Sequence, residues 1–353
     1  MVRSAAFAAV MLGALFVTTQ AQPVGRDGIV KEEFLAPNPP TPSSHASTIV
    51  ETRDGLVAAW FGGTKERYPD VNIWVSRNDG RGWSAPVEEA NGIQDKDGIR
   101  YPCWNPVLFS RHNGDLVLFY KVGPSPSAWW GMVKTSSNNG KTWSAPKRLP
   151  SGIVGPVRNK PIELEDGTLL CGASAEDRGW SVHIERTKNP LKGWSSTPTL
   201  GSALDYGAIQ PTLLPYADGK IQILCRTKQG RIVESWSQDK GQTWTRLVPT
   251  GLPNPNSAID AVALRDGSVL LVYNHSTNSR ETMNVAVSQD GKNWEAALVL
   301  ENGGGEYSYP AVIQTSDGMV HITYTWKRQK IKHVVVDPTL LKPRPIAGSL
   351  WPK

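Results

Sequence analysis

Residues 209–244 read IQPTLLPYADGKIQILCRTKQGRIVESWSQDKGQTW, and this stretch decides the fold. It contains an apolar run closed by Asp218-Gly219, a second run from Lys220 to Arg226, a turn at Gly230 and a third run from Arg231 to Ser237. Strand-length apolar runs separated by Asp-Gly and Gly turns are hairpin signals. The unit ends on Ser237-Gln-Asp239-Lys-Gly241-Gln-Thr-Trp244. There Ser and Asp side chains bond nearby backbone, Gly supplies a positive φ and Trp anchors the end.

The same unit recurs along the chain. Apolar runs ending in a Gly turn stand at 45–55, 104–114, 159–167, 210–219, 259–267 and 309–318. Their glycines, Gly55, Gly114, Gly167, Gly219, Gly267 and Gly318, lie about fifty residues apart, a period that belongs to propellers and solenoids. A second strand follows each, and helical periodicity appears nowhere at comparable strength. The closing turn returns as Ser76-Arg-Asn78-Asp-Gly80-Arg-Gly-Trp83, Ser136-Ser-Asn138-Asn-Gly140-Lys-Thr-Trp143 and, one residue shorter, Ser288 to Trp294. A degraded copy runs from Thr187 to Trp194. The expectation is an all-β chain folded as a six-bladed β-propeller of four-stranded antiparallel blades opening near 45, 104, 159, 210, 259 and 309. Gly28 to Leu35 is expected to pair as the outer strand of the sixth blade and close the ring. The Pro-rich stretches 38–42 and 342–353 read as linker and tail.

Composition supports this reading and narrows the function. The chain has 353 residues with 33 Gly, 27 Pro and 14 Trp, which suits many short strands joined by turns. The formal charge is +6 and the basic residues are scattered, which argues against a nucleic-acid partner and fits an anionic substrate. Residues 1–21 carry Arg3, an apolar run and the small-x-small site Thr19-Gln20-Ala21. This reads as a secretory signal peptide, too short for a membrane span, preceding one domain over 22–353 in a secreted or periplasmic protein. The three cysteines, Cys103, Cys171 and Cys225, show no metal-ligand spacing. Cys171 and Cys225 sit in apolar strand patterns as buried thiols, with one disulfide as the alternative. No cofactor or metal is implied, and a monomer is expected.

In a four-stranded meander the start of strand one, the end of strand two and the start of strand three share one end of the blade. Around a ring these positions form a single face over the central channel. Strand-one starts supply His45, Trp104, Arg158, Asn159, Lys160, Gln210, Asp260, Glu306 and Tyr307. Strand-two ends supply Arg226, Tyr273 and Asn274. The third strands and their loops supply Asp70, Trp129, Trp130, Trp180, Arg231, Arg280 and Arg328. Arginines with aromatics suit a carbohydrate bearing a carboxylate or sulfate, because guanidinium groups fork acidic groups and rings pack on sugars.

The turns match the S-x-D-x-G-x-x-W Asp-box, and the chain resembles the sialidase (neuraminidase) superfamily, in the branch of predicted bacterial neuraminidases with such repeats. The resemblance implies that Asp70 is the acid/base and that Tyr307, in Tyr307-Ser308, is the nucleophile, with Tyr309 as the neighbouring choice. A neutral phenol does not repel an anionic sugar as a carboxylate would. It further implies that Arg226 and Arg280 hold the substrate carboxylate. Two positions depart from the family pattern: His45 stands where the first arginine belongs, and Gln210 where a glutamate activates the tyrosine. Gln cannot accept the proton, so Glu306 or His45 is left to do so, and Arg158, Lys160 or Arg231 to replace the arginine. The leading expectation is a retaining exo-glycoside hydrolase acting on a glycan. The alternatives are a polysaccharide lyase using His45 and Tyr307 on a uronate, and a glycan-binding propeller in which Trp104 or Trp180 dominates.

Overall fold

The computed structural model describes residues 26–94, 98–201, 205–348 and 350–352; the expected signal peptide lies outside them. Six antiparallel sheets are formed. Blade one comprises Ser43–Thr52, Gly55–Gly63, Asn72–Asn78 and Val87–Ala90, and blade two Cys103–Ser110, Leu116–Val122, Trp130–Ser136 and Lys147–Arg148. Blade three holds Ile162–Glu163, Leu169–Ala175, Ser181–Thr187 and Ser195–Ser196; blade four holds Ala208–Pro215, Ile221–Thr227, Arg231–Ser237 and Val248–Pro253. Asp260–Ala263, Val269–Tyr273, Thr282–Ser288 and Trp294–Asn302 make blade five, and Tyr307–Gln314, Val320–Trp326 and Lys330–Val336 the first three strands of blade six. Ile29–Phe34 pairs antiparallel with Lys330–Val336. The first strand in sequence therefore completes the last blade, as expected.

The closing turns hold themselves by the predicted chemistry. In blade four the Oγ of Ser237 donates to Asp239 at 2.8 Å and accepts from the amide of Gly241 at 2.8 Å, while the Asp239 carboxylate takes the amide of Thr243 at 2.8 Å. Gly241 has φ +78°, and a Cβ there would lie 2.7 Å from Leu170 of blade three. The turn thus seals one blade against its neighbour as well as reversing the chain.

The tail departs from expectation. Arg344–Pro345 pairs with Glu295 and Ala296 as a fifth strand on blade five, and the Trp351 ring lies 5.0 Å from that of His275. This stretch of the described chain is therefore docked through Arg344–Pro345 and Trp351 rather than a free tail. All three cysteines are buried and free.

The blades are stitched in sequence around the channel. The end of each second strand reaches the opening of the following blade. Phe61 packs edge-on against Trp104, and Lys121 donates to the carbonyl of Pro156. Ser174 Oγ accepts from the amide of Gln210 at 3.3 Å, and Arg226 Nε donates to Asn256 at 2.9 Å. Asn274 Nδ2 donates to the carbonyl of Tyr307 at 2.8 Å, and Thr325 Oγ1 accepts from the amide of Ala46 at 3.1 Å, which completes the circle.

A second repeated feature determines what faces the channel. Near the opening of each blade one non-glycine residue has a left-handed backbone: Ala46, Asn105, Arg158, Gln210, Asn256 and Tyr309. In four blades this coincides with a register shift, between His45 and Thr48, Trp104 and Val107, Ile209 and Thr212, and Ser308 and Ala311. A bulge of this kind breaks the two-residue alternation and re-aims one side chain.

Candidate active site

Five of those six left-handed positions place side chains at or beside one cluster, and Tyr309 is its centre. Its hydroxyl accepts a hydrogen bond from Arg226 Nη1 at 2.9 Å. Three guanidinium carbons lie close to its ring: Arg158 at 5.6 Å, Arg226 at 5.7 Å and Arg280 at 5.9 Å. The His45 ring lies against it, centroids 4.2 Å apart. Arg226 is oriented from two sides, by Asn256 Oδ1 at 2.9 Å and by Gln210 Oε1 at 3.2 Å.

Carboxylates hold the remaining arginines. Glu306 accepts from Arg280 Nη1 at 3.1 Å, from Arg328 Nε at 3.0 Å and from Ser308 Oγ at 2.7 Å. Arg328 also pairs with Glu66, on the loop between the second and third strands of blade one. Deeper in the ring, Lys160 meets Asp260 at 3.0 Å, and Asp260 also accepts from Thr212 Oγ1 and the amide of Val312. Lys160 is paired with Asp260, Arg280 with Glu306, and Arg328 with Glu306 and Glu66, whereas among the described residues no ion pair holds Arg158 or Arg226. These two guanidinium groups leave positive charge beside Tyr309 to attract an anion.

That charge governs the titrating groups. Burial acts to raise the Tyr309 phenol, but the charges of Arg226 and Arg280 and the Arg226 hydrogen bond outweigh it, and the phenol lies below its ordinary value. Burial and the charges of Arg328, Arg280, Arg158 and Arg226 together hold His45 well below the usual imidazole value, so it is neutral. Its Nδ1 lies 2.8 Å from Thr325 Oγ1, and its Nε2 has no protein partner. Arg158 is 1% exposed; its Nη2 donates to the carbonyl of Pro310, whereas Nε and Nη1 have no protein partner. Burial pushes its pKa down to about 10, against the pull of Asp260. Buried donors left without protein acceptors are costly, and here they adjoin the phenol.

The expected residues sort into three groups. Arg226, Arg280, Gln210, Arg158 and His45 converge on one point. Asp70 sits on the same loop as Glu66, its Oδ2 accepting from the amide and Oγ1 of Thr64 at 2.9 and 2.7 Å and its Oδ1 buried without a protein partner. It shares the rim of the cluster without a hydrogen bond to Tyr309.

The third group is corrected. Tyr307 packs in the core between blades five and six and donates to the carbonyl of Gly303 at 3.0 Å. Burial raises its phenol, which is opposite to what a nucleophile needs. The bulge at Tyr309 puts Tyr307 on the sheet face and its neighbour in the channel. The Glu306 carboxylate orients Arg280 and Arg328, while the hydroxyls of Tyr307 and Tyr309 bond to Gly303 and Arg226 instead. Lys160 and Asp260 are bonded to each other across 100 residues of sequence and bind the blades. Trp104 is 2% exposed with its indole N–H donated to Gly123, so it is wall rather than ligand surface. Tyr273 is core, Asn274 is an interblade stitch, and Arg231 is exposed outside the cluster.

Three contributors carried no earlier assignment: Asn256, Glu66 and Glu176. Glu176 directly follows the second strand of blade three and stands beside Trp180, whose ring lies 5.3 Å from Arg226 and 4.4 Å from Lys228. Burial raises the Glu176 carboxyl, with Arg226 acting against it. One sequence signal points to the channel positions: Asn105, Gln210 and Tyr309 each precede a proline. Among the described residues no group of three or more His, Cys, Asp or Glu side chains is placed to hold a metal ion. No helix among them is long and apolar enough to cross a membrane.

Comparison with known proteins agrees with this architecture. A family model described as a BNR repeat-like domain matches residues 54–322. A Dyadobacter fermentans protein of unknown function superimposes with a TM-score of 0.73 at 17% identity, over 90% of this chain and 99% of that one. The intramolecular trans-sialidase of Ruminococcus gnavus, in complex with oseltamivir carboxylate, gives 0.72 at 13% identity, covering 90% and 99%. A Trypanosoma rangeli sialidase, in complex with 2,3-difluorosialic acid as a covalent intermediate, gives 0.65 at 14%, covering 86% and 55%. No curated protein matches the sequence.

Proposed function

The chain belongs to the BNR repeat-like domain family and has the sialidase-type propeller fold, and from that premise we propose that it is an exported exo-glycoside hydrolase that removes a terminal acidic sugar. The observation that carries the reading is the Tyr309 phenol, bonded to Arg226 and ringed by three guanidinium groups. Arg226 and Arg280 grip the acidic substituent, and Arg158 replaces the arginine that His45 displaces. Tyr309 attacks the anomeric carbon while Asp70 protonates the departing glycosidic oxygen. Water then attacks the glycosyl–tyrosine bond with Asp70 as base, giving net retention. Export rests on the apolar leader of residues 1–21.

The activating carboxylate replaced by Gln210 is not needed in this scheme. Arginines that donate to and stand beside the phenol oxygen stabilise its anion directly. A panel of sialosides and glucuronides, assayed for released acidic sugar and run in parallel with Arg226→Leu, tests the reading. Release that collapses in the variant is expected; no release from any member sinks it.

A second reading has its own observation. The neutral His45 lies against Tyr309, which suits a β-elimination in which arginines neutralise a uronate carboxylate, one of the pair takes the α-proton and the other protonates the leaving oxygen. An unsaturated, ultraviolet-absorbing product from the same panel selects it. Binding of a glycan without turnover selects the non-catalytic alternative.

A further inference from the structure

The loop that presents Arg280 is braced from outside the central cluster. It covers residues 274–281, between the second and third strands of blade five. At its root the Trp351 ring stands edge-on to His275, centroids 5.0 Å apart, and 6.4 Å from the ring of Tyr273. We propose that Trp351 is a positioning residue for the reaction: through His275 it holds the 274–281 loop in the form that aims Arg280 at the acidic group of the substrate. The proposal rests on the reading of the centre as an acidic-sugar site and adds a residue that acts on that site without touching it.

Two anchors bring Trp351 to this place. Arg344–Pro345 pairs with Ala296 and Glu295 on the outer strand of blade five, which fixes where the docked stretch begins. Ile346 and Trp351 then pack on the apolar cluster shared by blades four and five, with Leu252, Ile259 and Tyr273 among its buried members. Leu252 and Ile259 flank the connection that carries Asn256, and Tyr273 directly precedes the loop that carries Arg280. One apolar cluster therefore roots both segments that aim the central arginines. Asn256 Oδ1 orients Arg226 at 2.9 Å, and its carbonyl accepts from Arg280 Nη2 at 2.8 Å.

The path from Trp351 to Arg280 is short. His275 lies between the indole and the Tyr273 hydroxyl, which is 2.5 Å from its Nδ1; burial keeps that phenol protonated. The His275 amide donates to Asn284 Oδ1 at 3.2 Å. Beyond it Ser276 Oγ accepts the amides of Asn278 and Ser279, and Ser279 Oγ that of Glu281. The carbonyl of Arg280 accepts from the amide of Tyr307 at 2.8 Å, which ties the far end of the loop to blade six. Thr277 and Asn278, at the tip, are exposed. Segments with little apolar burial of their own open most readily, so an aromatic brace at the root limits that opening.

The test reads the loop and the substrate separately. Hydrogen exchange followed by mass spectrometry compares residues 275–281 with the 64–71 loop of blade one in wild type, Trp351→Ala and Trp351→Phe. We expect the 275–281 amides of Trp351→Ala to exchange at least about tenfold faster as local opening becomes easier. Trp351→Phe recovers most of the protection, and the 64–71 loop does not change. With the acidic glycoside identified by the panel, KM in Trp351→Ala rises about fivefold while kcat stays within about twofold, the pattern of binding lost equally from ground state and transition state. In an Arg280→Leu background the same change leaves KM where it was, because the two residues act in series. Unchanged exchange at 275–281 in Trp351→Ala overturns the proposal, as does exchange that rises equally in both loops, which marks a general loss of stability. A KM effect that adds in full to that of Arg280→Leu overturns it too. Failure of the central reading shows separately, as no acid released from any panel member by wild type while exchange still responds at 275–281 alone.

Discussion

Exchanging each of two neighbouring tyrosines for phenylalanine separates the channel residue from the core residue. In Tyr307→Phe the ring stays in the core between blades five and six, and one hydrogen bond, 3.0 Å to the carbonyl of Gly303, is lost. Gly303 is exposed, so water takes the carbonyl, and the cost is at most about 1 kcal/mol. Activity is unchanged. In Tyr309→Phe, Arg226 keeps its bonds to Asn256 at 2.9 Å and Gln210 at 3.2 Å, so stability again moves by only ~1 kcal/mol. The attacking oxygen is gone, however, and kcat falls by roughly 10³-fold or more, about 4 kcal/mol of barrier. Urea unfolding gives the first quantity, and release of acidic sugar from whichever glycoside the panel identifies gives the second. A folded Tyr307→Phe without activity, beside an active Tyr309→Phe, refutes the assignment.

Asp260→Asn removes the counter-charge of the partly buried Lys160 while keeping the shape of the side chain, and loses about 3 kcal/mol in chemical denaturation, the low end for breaking a buried pair because Lys160 reaches solvent; a loss below about 1 kcal/mol would show that the pair does not bind the blades. His45, held neutral by burial and four arginines, shows no imidazole titration by NMR between about pH 5 and 8, the range in which a free histidine changes charge. A midpoint in that range contradicts the electrostatic picture. Gln210→Glu sets a carboxylate against Arg226 and lowers the positive charge available to an anionic substrate, so KM rises several-fold. A rise in kcat at unchanged KM would mean that a missing base, and not charge, limits the wild-type protein.

The propeller was legible because its signals are local. The turn at Gly241 and its relatives at Gly140 and Gly291 are each set by residues within about eight positions of one another, and copies of a local rule add up to an architecture. Closure by Ile29–Phe34 was legible because the sixth blade lacked a partner strand of that length. The pairing of Arg344–Pro345 was not, since two residues carry no periodicity. At the site, Arg226, Arg280, Gln210 and His45 could be placed by counting strands. Alternation along a strand does not separate Tyr309 from Tyr307, because it assumes an unbroken pleat and the bulge with φ +54° at Tyr309 interrupts it. The recurring proline after Asn105, Gln210 and Tyr309 was the available clue. The Lys160–Asp260 pair had none: its partners are 100 residues apart, and both types of residue occur on any polar rim.

Covalent trapping tests the assignment of Tyr309 most directly. The protein is incubated with an activated 2,3-difluoro derivative of the acidic sugar identified by the panel, and the digest is sequenced by tandem mass spectrometry. One glycosyl group on Tyr309, absent from Tyr309→Phe and present in Tyr307→Phe, is the predicted result. Label on Tyr307, or on a carboxylate such as Asp70 or Glu66, contradicts it.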